Sequence, residues 1–235
     1  MATPEELRDV LGDYFILWKP RDIVGGDFYW IRRIDSESTL VALIDCTGHG
    51  VPGAFMTMAV NSILNHIVDQ NYTEPADVLA ELNQQIKATL HRNDHSHMTD
   101  DGLDIGICRI DNNRHLIFSG AKIPLYIKRD DNVSTIKGNR KSLGYRRSKD
   151  DLEFTSHSWE IQDGDTFYMT TDGYIDQNGG ERDYPLGRKR LFQTILAEGA
   201  KDMVRQEEVI EMLLNEYMGN ETQRDDITVL GFSLK

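Results

Sequence analysis

Apolar positions fall into two rhythms along this chain. Residues 28–33 and 39–44 are short aromatic, β-branched or near-continuously apolar runs, with the polar stretch IDSES (34–38) between them. Such runs predict strands, and the polar link predicts a hairpin. Residues 51–70 then carry apolar side chains on most faces, among them Ala54, Phe55, Met58, Ala59, Ile63, Leu64 and Ile67. That pattern predicts a buried helix with Pro52 in its first turn. A second helix is expected from 75 to about 91, with Val78, Leu79, Leu82, Ile86 and Leu90 on one face, and then a polar loop at 92–101. Residues 103–159 read as strand-rich, 166–171 and 227–234 as strands, and 188–199 and 203–218 as helices. Residues 1–12 read as a short helix. Strands and helices are thus segregated rather than alternating, which predicts an α+β fold.

Aspartates stand at the ends of these predicted strands. Asp27 and Asp45 each lie nine residues from Ser36, so a hairpin centred there sets them side by side at its open end. Asp172 ends the run 166–171 in an Asp-Gly pair, and Asp225 precedes the last strand. Asp-Gly is also an ordinary turn signal, so neither of these two defines a site by itself. Converging carboxylates would form a negative pocket that a cation stabilises.

The 235 residues carry 26 Lys and Arg against 39 Asp and Glu, a net charge of −13. A nucleic-acid partner is not expected, because its phosphates would need a basic track. The two cysteines, Cys46 and Cys108, make a disulfide framework implausible and fit a reducing cytoplasm. Cysteine and histidine spacing gives no zinc finger, and His91, His95 and His97 read as solvent-exposed loop residues. No arginine stands in thiol-phosphatase spacing after Cys46, since Val51 and Pro52 occupy those places. No apolar run is expected to span a membrane and no signal peptide is visible.

Six stretches in order carry a family resemblance: KPRDIVGGDFYW (19–30), LIDCTGHGVPGAFMTM (43–58), DGLDIGICRID (101–111), FSGAKIPLYI (118–127), GDTFYMTTDGYIDQNGG (164–180) and RDDITVLGFSL (224–234). They resemble the metal-dependent protein phosphatases, the PPM or protein phosphatase 2C-like superfamily, and within it the SpoIIE-like bacterial branch. The resemblance implies a four-layer α-β-β-α sandwich of two antiparallel sheets flanked by helices. It implies a phosphatase domain over 13–235, with 1–12 as the remnant of an upstream regulatory helix. It also implies two divalent ions, Mn²⁺ or Mg²⁺, the hard ions that oxygen ligands favour. Asp27 would contact one ion and Asp45 would bridge both. Cys46 would give its backbone carbonyl where many relatives have glycine, and Asp172 and Asp225 would complete the set. Asp225 is preferred to its neighbour Asp226 for that role.

Arg21, with Lys19 nearby, is the candidate for the substrate phosphate. His49 reads as a loop-structural histidine rather than a general acid. Asp100, Asp101 and Asp104 stand where some relatives bind a third ion, although DDG is also a turn. The implied activity is hydrolysis of phosphoserine or phosphothreonine in a protein, by water that the metals activate. In this branch the usual substrate is a phosphorylated STAS-domain anti-sigma-factor antagonist in partner switching. An upstream sensory or membrane domain, control through a helix beside the catalytic core, and a homodimer are further expectations of the resemblance. A catalytically silent scaffold and another two-metal phosphohydrolase, such as a nuclease, are the alternatives.

Overall fold

A computed structural model of the protein describes residues 3–91, 100–112, 114–198 and 202–234. The expected cluster at His95 and His97 lies outside the described residues. Two five-stranded antiparallel sheets stack face to face. The first is ordered β1 (Asp13–Lys19), β12 (Ile227–Ser233), β9 (Thr166–Thr170), β6 (Leu125–Arg129), β7 (Asn132–Ile136). The second is ordered β2 (Asp27–Arg33), β3 (Ser38–Cys46), β4 (Leu103–Asp111), β5 (His115–Ala121), β8 (His157–Glu160). Helices α2 (Gly50–Asp69) and α3 (Pro75–His91) cover the outer face of the second sheet, and α5 (Arg188–Glu198) and α6 (Met203–Met218) that of the first. The four-layer α+β sandwich expected from the sequence is therefore the observed fold.

Strand chemistry explains the layering. β3 is apolar almost throughout because both of its faces are covered. Leu40, Ala42, Ile44 and Cys46 pack beneath α2 and α3, whereas Val41 and Leu43 enter the core between the sheets. That inter-sheet core continues through Cys108, Phe118, Leu125, Phe167, Met169, Leu230 and Phe232. Helix α1 (Pro4–Leu11), capped by Thr3 and Glu6 in a reciprocal capping box, adds Leu7 and Leu11 to the same core.

From α2 onward helix boundaries agree with the sequence pattern to within a residue or two, but other details differ. The helix expected to be buried all round, α2, buries only one face. Met56, Val60, Leu64 and Ile67 face the sheet, while Val51, Phe55 and Met58 stand in solvent, Phe55 and Met58 about two-thirds exposed. Apolar content alone does not report burial when a helix is covered on one side only. α2 is also, by length and composition alone, apolar enough to cross a membrane, contrary to expectation; in this fold it lies on the second sheet. The sequence pattern did not single out β1, the short helix α4 (Asp172–Asp176) or the two-residue strands β10 (Asn178–Gly179) and β11 (Tyr184–Pro185).

Candidate active site

Pleat alternation places the aspartates. Because Val41 and Leu43 point between the sheets, Asp45 does too, at the end of β3. Tyr29 and Ile31 pack against the inter-sheet core from β2, and Cys108 and Ile110 line it from β4, so Asp27 and Asp104 share that side. The ladders put the three in one row: Asp27 pairs with Asp45, and Asp45 pairs with Asp104. The hairpin symmetry about Ser36 is thus observed in full register. Across from this row, at the same end of the sandwich, β9 ends at Thr170 and β12 begins at Ile227. Asp172 opens α4 just after β9, and Asp225 and Asp226 immediately precede β12.

Two threonines on the facing side, Thr171 just past β9 and Thr228 in β12, reach across to Asp27. The Thr171 and Thr228 hydroxyls both donate to Oδ2 of Asp27, at 2.7 and 2.9 Å. The Thr228 amide donates to the Thr171 hydroxyl and the Thr171 amide to the Thr228 carbonyl, so the two threonines also hold each other. Among the described residues, Oδ1 of Asp27 takes no hydrogen bond. Thr171 and Thr228 were missed in the sequence. Their only signal there was the position beside Asp172 in TTDG and the period-2 place of Thr228 in β12.

The electrostatics are those of crowded, partly buried acids. Burial pushes the Asp27 carboxyl up to about 7, with Asp226 and Asp225 adding to the rise against the two threonine hydroxyls. Asp45 is pushed up to about 9, by burial first and then by the charges of Asp27, Asp172, Asp104 and Asp225. Asp172 is raised by burial and by Asp225 and Asp176, and it is hydrogen-bonded to Asp45. Asp45 therefore lies within electrostatic reach of Asp27, Asp104, Asp172 and Asp225, and the hydrogen bond between Asp45 and Asp172 offsets part of the rise at Asp172. Among the described residues, no three His, Cys, Asp or Glu side chains stand closed around a single metal-sized point. The donor set nevertheless fits hard divalent cations: it is all oxygen, it is destabilised as anions, and Asp27 keeps one oxygen free.

Asp225 and Asp226 have different duties. Asp226 is buried, and its carboxylate accepts the Arg21 amide at 2.7 Å and the Gly26 amide at 2.6 Å, pinning the loop 20–26. Asp225 is exposed and accepts the Asp226 amide. We expect Asp226→Ala to free both loop amides and lower stability by about 2–4 kcal/mol in urea unfolding. Asp225→Ala should leave the midpoint within ~0.5 kcal/mol of the parent. Equal losses would refute this division.

The loop 20–26 is pressed against the start of α2. A Cβ on Gly26 would lie 2.4 Å from the Gly48 carbonyl oxygen and 2.6 Å from that of Cys46. The Cys46 carbonyl therefore faces the backbone beside Asp27, and the Cys46 amide donates to the Gly26 carbonyl. The Cys46 thiol points the other way, into the core under α2 and α3, where burial raises its pKa.

The remaining sequence candidates are scattered around this centre. Arg21 is exposed, and its guanidinium donates to the Arg224 carbonyl, next to Asp225. Lys19 is paired with Glu211 of α6 at 2.7 Å. His49 sits at the entrance of α2, its Nδ1 2.8 Å from the Asp22 carboxylate. Asp100 accepts the Arg146 amide, and Asp101 is half-buried in the turn before β4. Of Asp100, Asp101 and Asp104, only Asp104, already within β4, enters the row.

Known proteins resemble this chain in sequence and in fold. The family model of stage II sporulation protein E matches residues 35–235. The phosphoserine phosphatase RsbP of Bacillus subtilis (strain 168) is 24% identical over 157 residues, 65% of this chain and 37% of its own length. The chain thus spans little more than a third of that relative. The SiaA-PP2C domain of Pseudomonas aeruginosa superposes with a TM-score of 0.86 at 35% identity, over 98% of this chain and 90% of that one. RsbX, solved in complex with magnesium, superposes with a TM-score of 0.62 at 15% identity, over 93% and 94% of the two chains. With a family model spanning residues 35–235, which leaves out α1, β1, the loop 20–26 and β2, this chain belongs to the stage II sporulation protein E family of PP2C-like proteins.

Proposed function

We propose that the chain is a Mn²⁺- or Mg²⁺-dependent protein serine/threonine phosphatase whose ligands are Asp27, Asp45, the Cys46 carbonyl, Asp172 and Asp225. One observation carries this reading: Asp45 lies within electrostatic reach of four other carboxylates, and its own proton affinity is raised by them. Such a cluster has no structural use, since neutral side chains would be more stable there. When bound, the ions supply an activated water for attack on phosphorus and neutralise charge on the phosphoryl oxygens.

The protein's own groups prepare that chemistry. Thr171 and Thr228 fix the Asp27 carboxylate by one oxygen and leave the other for a cation. Asp45, at the middle of the β2–β3–β4 row, would be the central ligand, and Asp172 and Asp225 would join it from the opposite side. The Arg21 guanidinium at the rim is suited to hold the substrate phosphate. The substrate we propose is a phosphorylated STAS-type anti-sigma-factor antagonist, the class implied by the resemblance to the SpoIIE-like branch, and the setting is the cytoplasm.

Purified protein should release phosphate from a phosphoserine protein when Mn²⁺ is added. Excess EDTA should remove at least ~10²-fold of that rate. Full activity in EDTA would end this reading. Cleavage of DNA in place of phosphoprotein would favour the nuclease alternative, and absence of Mn²⁺ binding by calorimetry would favour a scaffold.

A further inference from the structure

Beyond β7 the chain enters a segment, residues 137–149, that holds six of its 26 cations and no Asp or Glu. On a protein of net charge −13 this is an isolated basic island. It folds back beside the turn after β5 to form a cleft of about 500 Å³. Lys122, Arg140, Lys141, Arg147 and Lys149 line the cleft, and all five are exposed. Among the described residues, Arg140, Lys141, Arg147 and Lys149 make no ion pair. Lys122 is close enough to Asp104 to favour its ionised form.

The cleft shares a wall with the proposed centre. Ser142, which lines it, is hydrogen-bonded to the Asp104 carboxyl, next to Asp45 in the ladder. Tyr145, which also lines it, places its hydroxyl 2.8 Å from the Thr47 hydroxyl, one residue beyond Cys46. Backbone bonds in both directions between Leu103 and Leu143 fix the segment to the start of β4. A Cβ on Gly102 would come within 2.3 Å of the Tyr145 ring and 2.4 Å of the Leu143 carbonyl, so the contact is close along its length. The cations are thus anchored beside the carboxylate row.

We propose that this cleft docks an acidic segment flanking the phosphorylated residue of the substrate protein. The inference rests on the phosphatase reading for its orientation, because the wall shared through Ser142 and Tyr145 sets the cleft directly beside Asp104 and Thr47. Unpaired cations at an interface rim accelerate association with acidic partners and make it salt-dependent. The carboxylate row next door repels the long anionic backbone of a nucleic acid, which a short acidic segment need not cross.

The test uses the intact chain and two labelled phosphoserine peptides, one flanked by aspartates and one by serines, measured by fluorescence anisotropy. The parent should bind the aspartate peptide about tenfold more tightly, and the Lys141→Glu/Arg147→Glu double variant should lose that preference. Raising the salt should erase the same difference in the parent. Lys141→Ser/Arg147→Ser should shift binding in the same direction, which guards against misfolding of the charge-reversed protein. Hydrolysis of p-nitrophenyl phosphate with Mn²⁺ should be unchanged in both variants.

Equal binding of the two peptides by the parent, or an unchanged preference in both variants, would overturn the proposal. So would tighter binding of single-stranded DNA or of phosphatidylserine vesicles than of the aspartate peptide. A parent that fails to hydrolyse p-nitrophenyl phosphate would defeat the phosphatase reading, while the peptide preference would still decide the docking.

Discussion

Asp45→Asn is expected to lower phosphate release from a phosphoserine protein by at least ~10²–10³-fold while raising the thermal stability of the metal-free chain. The activity loss follows from its central place in the row, where it is the proposed bridging ligand. The stability gain follows from linkage. The Asp45 carboxyl is held at about 9 against an ordinary 3.8, and Asp27 at about 7. Both values are raised, so the folded chain binds protons that the unfolded chain has already released. Their contribution to stability is whole below about pH 4 and is lost as pH rises through about 7 and about 9.

Metal-free parent protein should therefore melt at a lower temperature at pH 8 than at pH 5. Asp45→Asn should flatten that slope. Each tenfold of proton affinity is worth about 1.4 kcal/mol, so the substitution should recover a few kcal/mol near pH 8 at most. In a protein of this size that is a rise of several degrees. Saturating Mn²⁺ at about a hundred times Kd should raise the parent's stability by about 2.7 kcal/mol, with little effect on the variant. Differential scanning calorimetry at two pH values, with and without Mn²⁺, checks all of this. A variant that melts below the parent at pH 8 without metal would show that Asp45 is a structural residue.

The second large effect is expected from Gly173→Ala. A Cβ there would stand 2.0 Å from the Asp226 carbonyl oxygen and 3.4 Å from the Asp225 Cβ. The obstacle is backbone, which cannot swing aside as a flexible side chain would. Either α4 lifts away from the start of β12 or the 225–226 segment is displaced, and both routes spoil the site. We expect a loss of about 2–4 kcal/mol in denaturant unfolding, together with most of the phosphatase activity. Gly164→Ala is the control. Its φ is +86°, but nothing lies within 4 Å, so only the left-handed strain of about 1 kcal/mol should appear. Comparable losses at both glycines would show that backbone conformation, not the close approach at α4, sets the cost.

How much of this was legible beforehand depends on the range of each interaction. Asp27 and Asp45 could be paired from the sequence alone, because a hairpin is local and its turn fixes its register. The facing pair, Asp172 and Asp225, come from a different sheet. No local rule joins the sheets, so only the family resemblance brought these residues in. The Thr171 and Thr228 hydroxyls were invisible for the same reason, lying 144 and 201 residues from Asp27. Asp226 looked like a duplicate of Asp225 until burial separated them. α2 misled in the opposite direction: its composition is that of a buried helix, yet Phe55 and Met58 lie on a face that the fold leaves open.

The first and last strands of this chain lie side by side, Asp13 opposite Ser233 and Lys19 opposite Ile227. That pairing sets a timetable. A chain emerging from the ribosome can close the β2–β3 hairpin early, because its contacts are short in sequence. The edge strand β1 must wait for β12, its distant partner along the chain, which also brings the hydroxyl of Thr228. Such distant pairings are slow to form. Until β12 arrives, the acidic row lacks Asp225 and the Thr228 hydroxyl, so the newborn protein should acquire its cation-binding capacity in one late step rather than gradually.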